Sequence, residues 1–217
     1  MKRHWWKALG VFLIIISIVF GLLGEVQALP ILNETIRVLY YHVPMWFSMV
    51  ALMLGSLIFS ILHLRQGSPK SDLIANEAAK TGFLLATLGL ITGSIWARFT
   101  WGAFWVNDPK LNGTAVTMLI YLAYFVLRNS VEDPQKKGRL AGVYNIFAFV
   151  MMIVFIGILP RMTDSLHPGN GGNPGFNKYD LDSNMRPVFY SAVVGWILMG
   201  VWITNLRVRV KNLIANA

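Results

Sequence analysis

Thr100-Trp101-Gly102-Ala103-Phe104-Trp105-Val106-Asn107-Asp108-Pro109-Lys110 separates two long apolar runs, and the reading of this stretch decides the fold. It places three large rings, Trp101, Phe104 and Trp105, at i, i+3 and i+4. On a helical turn that spacing puts all three on one face. A soluble loop does not concentrate rings in this way. A segment at a membrane surface does, because amphipathic aromatics favour the headgroup level. The stretch is therefore an aromatic belt or a flat apolar platform for a flat apolar ligand, and the runs beside it are membrane spans.

Working outward, the whole chain repeats this alternation. Of its 217 residues 55% are hydrophobic and only 13% charged, about half the charged share of a soluble domain. Mean hydropathy is +0.55, and the apolar residues lie in unbroken blocks. The pattern predicts an all-α membrane protein, one domain over 1–217 with six transmembrane helices. The spans fall at about 8–28, 44–64, 81–97, 111–127, 140–159 and 187–206. The first block resembles a signal peptide but is longer than the roughly 7–15 residues of a signal core, so it reads as a retained span.

Between spans, Ile36, Leu39, Tyr40 and Val43 repeat at i, i+3, i+4 and i+7, which suits a helix approaching or lying on the membrane surface. Pro44 then opens the second span, with His42 at its mouth. Residues 65–80 and 128–139 are polar loops. Gly82, Ala86, Gly89, Gly93 and Ala97 line one face of the third span, a pattern for close helix packing. Residues 161–186 form a long loop containing Gly169-Asn170-Gly171-Gly172-Asn173-Pro174-Gly175, irregular by composition and suited to a lid or docking surface.

Charge orients the chain. With both termini inside, the inner segments hold thirteen Lys or Arg and the outer segments six, balanced by six outer acids. This is the positive-inside bias. It accounts for the net charge of +9 without a nucleic-acid partner. There is no cysteine, hence no disulfide, thiolate metal site or covalent haem attachment. No Walker loop is present. The span interiors hold no charge apart from His42 at one mouth, so an ion-coupled transporter has no visible machinery.

This orientation sorts the histidines. His4 and His63 fall inside; His42 and His167 fall outside with the aromatic stretch. Imidazole is a good axial ligand for haem iron. A porphyrin needs apolar walls, one or two such ligands and cations for its propionates, and the outer segments offer all three. Arg37, Arg98, Lys110, Arg161 and Arg186 are the candidate cations. His42, beside Pro44, is expected to be better fixed than His167 on its Gly-rich loop. Taken singly, each feature also has a plain reading: interfacial histidines, an aromatic belt, Asp108 as a turn former before Pro109. Asp180, Asp182 and Asn184 imitate a calcium loop but lack its following Gly and distal Glu.

The segment Trp101 to Leu111, W-G-A-F-W-V-N-D-P-K-L, resembles the tryptophan-rich WWD signature of haem-handling proteins in cytochrome c biogenesis. Arg37 to Trp46 resembles the His-Val-Pro segment of the haem exporter protein C family (CcmC), and Leu166-His167-Pro168-Gly169 resembles that family's second histidine loop. Phe104 and Asn107 stand where the family often has Trp, and Lys110 where it often has Arg. Phe104 keeps a ring; Asn107 does not, and Lys110 lacks a bidentate fork.

The resemblance implies a bacterial inner-membrane protein with the WWD-like segment 98–110 and the loop 161–186 on the periplasmic side and both termini cytoplasmic. It implies that His42 and His167 are axial ligands of non-covalent, transient haem b. Trp101, Phe104, Trp105 and Asp108 would form the haem platform, and Arg37 and Lys110 would contact propionates or partners. The haem would pass to a periplasmic chaperone (CcmE-like). ABC-type subunits (CcmA-like and CcmB-like), which hydrolyse ATP, and a small single-span protein (CcmD-like) are the implied partners, beside membrane lipid. The chain itself would not be an enzyme. The alternatives are a bis-histidine membrane electron carrier, whose ligands belong inside the bundle, and a structural transporter subunit with no ligand of its own.

Overall fold

The computed structural model describes residues 4–169, 175–176 and 180–216. Among them are six helices long and apolar enough to cross a membrane. They are α1 (Trp5–Leu23), α2 (Leu39–Gln66), α3 (Pro69–Trp101), α4 (Pro109–Ser130), α5 (Pro134–Met162) and α6 (Met185–Ala215). α2 is the central element, touching α3, α5 and α6, while α1 packs mainly on α6.

Three helix starts share one local chemistry. Ser68, Asp108 and Asp133 are N-caps whose side chains accept backbone N–H bonds, and each is followed by proline at the first helical position. The cap satisfies an orphan donor, and proline has no donor to orphan. At the α2–α3 turn, Gly67 is left-handed with φ 67°, and its N–H returns to the His63 carbonyl. The chain therefore reverses in two residues.

This changes the expected loop at 65–80. Residues 69–80 are the first turns of α3, which at 33 residues and about 1.5 Å each is longer than the roughly 30 Å hydrocarbon core. Its charges are absorbed by tertiary partners. Asp72 takes a bidentate pair from Arg128 of α4 at 2.7 and 2.5 Å. Glu77, 1% exposed, pairs with Arg207 of α6 at 2.8 Å and Lys80 at 3.1 Å. Hydropathy reads these groups as loop; the fold uses them to pin the helix ends opposite the aromatic stretch.

The periodic face at 36–43 also differs from expectation. Asn33–Val38 is a 3-10 turn running straight into α2, so Pro44 lies inside the helix rather than at its start. Ile36, Leu39 and Tyr40 are buried against Leu181, Met185 and Phe189 at the head of α6, with Val43 packed beside them. They face protein, not the membrane surface. The main core joins Met49, Leu52 and Met53 of α2 to Ala79, Leu85 and Ala86 of α3, Tyr121 and Tyr124 of α4, and Ala141, Ala148 and Met152 of α5. α5 loosens to a π-helical segment over Ile153–Ile158 before its last turn.

Candidate haem-ligand site

α3 ends at Trp101 because Gly102 takes the left-handed conformation, φ 83°, which costs a residue with no Cβ little. Residues 102–107 are irregular, and Asp108 starts α4. The expected helical turn carrying Trp101, Phe104 and Trp105 on one face does not form. Trp101 belongs to α3, whereas Phe104 (60% exposed) and Trp105 (42%) stand on the loop beyond the reversal. Trp105 donates through Nε1 to Asn112, and Asn112 donates to Asn107, tying the loop to the first turn of α4.

Asp108 is the hub. Its side chain has 0% exposure. Oδ1 accepts the Lys110 and Leu111 N–H groups at 2.9 and 3.3 Å and faces His167 Nδ1 at 3.0 Å. Oδ2 accepts the Ser165 hydroxyl at 2.8 Å and the Leu166 N–H at 2.7 Å. Two elements 57 or more residues apart in sequence thus converge on one carboxylate. Burial pushes the Asp108 carboxyl up, but the bonds from His167, Leu166 and Ser165 outweigh it and hold the group well below the usual carboxylate range. Burial likewise holds the His167 imidazole below its ordinary value, against the raising effect of Asp108. At neutral pH the pair is a carboxylate and a neutral imidazole. Nδ1 then carries the proton toward Asp108, and Nε2 keeps its lone pair. The Trp101 ring stands edge-on to His167 at 4.9 Å between centroids.

His42 sits in the first turns of α2, its Nδ1 at 2.9 Å from the Gly89 carbonyl and 3.2 Å from the Thr92 hydroxyl. A carbonyl only accepts, so Nδ1 donates and Nε2 is again the free nitrogen. The ring is edge-on to Trp46 and Trp96, with centroids 6.1 and 5.9 Å away. Trp96 is held by a hydrogen bond to Thr35. The small-residue face of α3 is what admits these rings. A Cβ at Gly93 would lie 2.5 Å from His42 Cε1, and one at Gly89 would lie 2.9 Å from the Trp46 ring. Trp46, Trp96, Gly89 and Gly93 were not singled out as site residues by sequence. A signal was present: His42 and Trp46 at i, i+4 on one helix face Gly93 and Gly89 at i, i+4 on the next.

His42 and His167 lie within electrostatic reach of each other and of Lys110, and Lys110 is within reach of Arg161. Arg37 is elsewhere engaged. It donates through Nη1 to the Gly21 and Gly24 carbonyls at the end of α1 and through Nε to Glu34. Arg98 donates to the Gly102 carbonyl. Asp182 accepts the Asn184 and Met185 N–H groups at the start of α6. The greater part of the Gly-rich run, residues 170–174, lies outside the described residues.

A family profile described as CcmC, "Heme exporter protein C", matches residues 2–216. The chain is 26% identical over 200 residues to "Heme exporter protein C" of Rhodobacter capsulatus, covering 91% of this chain and 82% of that protein. It is 30% identical over 137 residues to that of Paracoccus denitrificans, covering 63% and 57%. Against that of Escherichia coli K12 it is 23% identical over 177 residues, covering 82% and 70%.

Proposed function

This chain belongs to the haem exporter protein C family, and on that premise we propose that it holds haem b non-covalently at one end of its bundle and hands it to a periplasmic haem chaperone. Family membership assigns it to haem transport in cytochrome c biogenesis, as a multi-pass membrane protein and a transport component. The finer reading places the site on the periplasmic side of a bacterial inner membrane, following the Lys and Arg bias between segments. ABC-type subunits that hydrolyse ATP and a small single-span protein complete the proposed assembly.

The observation that carries this reading is the common state of the two imidazoles. Each has Nδ1 held by an oxygen acceptor, Asp108 for His167 and Gly89 for His42. Each therefore offers Nε2 to iron in the neutral form a metal requires. An acceptor behind a ligating histidine fixes the ring and raises its basicity. Trp101, with Trp46 and Trp96, provides the apolar walls, Phe104 and Trp105 extend the exposed surface over which haem would leave, and Lys110 supplies a positive charge for a propionate. Iron, when present, supplies the coordination bonds; the chain orients the ligands and keeps protons off the two Nε2 atoms.

Substitution of the four histidines tests the reading. His42→Ala and His167→Ala should each change the absorption spectrum of the haem-loaded chain, and exogenous imidazole should restore part of it. His4→Ala and His63→Ala should leave it native. His63 donates toward the Ser68 carbonyl beyond the opposite end of α2, about twenty residues and roughly 30 Å from His42. Transfer of the bound haem to an added purified chaperone separates presentation from electron carriage. A native spectrum in both outer variants with loss in His63→Ala would move the site to the other end of the bundle.

A further inference from the structure

At the end of the bundle opposite the imidazoles, α4 and α5 leave an open groove of about 570 Å³. Leu127, Leu140, Tyr144 and Phe147 line it, and Lys136 and Arg139 stand at one end. Leu140 and Phe147 are about half exposed, at 48% and 51%. Lys136 and Arg139 are exposed and, among the described residues, make no ion pair. The nearest acid in sequence, Asp133, uses Oδ1 on the Lys136 backbone N–H as the helix cap.

We propose that this groove binds one anionic phospholipid, its phosphate between Lys136 and Arg139 and an acyl chain along Leu140, Tyr144 and Phe147. Two features of the groove select that occupant. The first is its length. Lys136 to Phe147 is eleven steps of one helix, about 16 Å at 1.5 Å per residue, half of the roughly 30 Å hydrocarbon core. That is the depth of one leaflet. A partner transmembrane helix would need a track across both. The second is the order of chemistry along it: two cations at the helix end, then only apolar side chains and a tyrosine. Arg139 can grip two phosphate oxygens and Lys136 offers a point charge. Basic pockets between helices at the membrane surface suit anionic headgroups for this reason. Net positive charge alone does not explain it, because Arg128 at the same end is consumed by Asp72 and Arg207 by Glu77.

The test uses the full chain, delipidated in detergent, and native mass spectrometry. Phosphatidylglycerol and phosphatidylcholine with identical acyl chains are titrated separately, and glycerol phosphate is added as a competitor. The wild type should retain phosphatidylglycerol at least about tenfold better than phosphatidylcholine, because both carry the phosphate but the choline ammonium of the second cancels its charge beside Lys136 and Arg139. Lys136→Ala with Arg139→Ala should erase that preference, and Arg209→Ala with Lys211→Ala on α6 should keep it. Glycerol phosphate should compete poorly, because the apolar floor contributes. Equal retention of both lipids by the wild type overturns the proposal, as does a preference that survives the first double variant. Competition by glycerol phosphate at parity would reduce the groove to a bare anion site. A polypeptide that must be stripped off before lipid binds would assign the groove to a partner helix.

Discussion

Asp108→Asn lowers haem affinity by about 10- to 100-fold, the range found when the acceptor behind a ligating histidine is removed. The substitution keeps size and keeps an N-cap residue, so α4 should still start at Pro109. What it cannot keep is two accepting oxygens. Five donors aim at this one group, two on Oδ2 and three around Oδ1. If the new amide turns its NH2 to the Oδ2 side, the buried Leu166 N–H is stranded at a cost of about 1–3 kcal/mol. If it turns NH2 toward His167, Nδ1 must accept, the proton moves to Nε2, and the lone pair meant for iron is gone. Either orientation damages the same ligand. Haem titration of the purified variant checks this, with Ser165→Ala as the milder comparison because it leaves the carboxylate whole. Wild-type affinity in Asp108→Asn would show that the His167–Asp108 contact has no bearing on the ligand.

Gly93→Ala should displace His42 and, under the proposed ligation, change the spectrum of bound haem. One added methyl group would stand 2.5 Å from His42 Cε1, closer than non-bonded carbons approach, so the ring must move. Moving it loosens the bond to the Gly89 carbonyl that sets its tautomer. Overpacking of this kind costs about 1–3 kcal/mol of fold stability, and the displaced ring is read out in the haem spectrum. Gly55→Ala is the matched control, since a Cβ there meets nothing within 4 Å. It should leave the spectrum unchanged and raise helix stability slightly. An unaltered spectrum in Gly93→Ala would mean that His42 is not a ligand in this chain.

These two residues also mark what a sequence can and cannot disclose. The six helices were legible because hydropathy is a local property, and a block of twenty apolar residues reads the same without its neighbours. The Ser-Pro and Asp-Pro helix starts are equally local, yet the charges after Ser68-Pro69 and Asp133-Pro134 read as loop, and Asp108 before Pro109 reads as a turn former, where the structure starts helices. Asp72 and Glu77 are helical because Arg128 and Arg207 answer them, and Arg207 lies 130 positions away from Glu77. His42 and His167 could be nominated from chemistry and sidedness. Asp108 could be named but not given its work, since three donors from one distant segment, Ser165, Leu166 and His167, had first to be brought around it. The glycines of α3 were seen as a packing stripe, and only the placement of α2 turned that stripe into a seat for imidazole and indole. Gly102 decided the fate of the aromatic face: the i, i+3, i+4 spacing is a promise that holds only while the helix continues.

The convergence on Asp108 has a bearing on biosynthesis. His167 follows Asp108 by 59 positions. At about 5–20 residues per second, the ribosome delivers the imidazole roughly 3–12 s after the carboxylate. Through that interval a nascent chain can already insert α4 with its cap in place, but Oδ2 still has neither Ser165 nor Leu166 to receive. The pocket closes only after α5 has crossed and the segment behind it has folded back, so a chain arrested before Ser165 owns half a ligand set and no second axial nitrogen. Haem met during translation would find His42 alone. Under the proposed two-histidine ligation, a complete ligand pair exists only once Ser165, Leu166 and His167 have been made and brought onto Asp108.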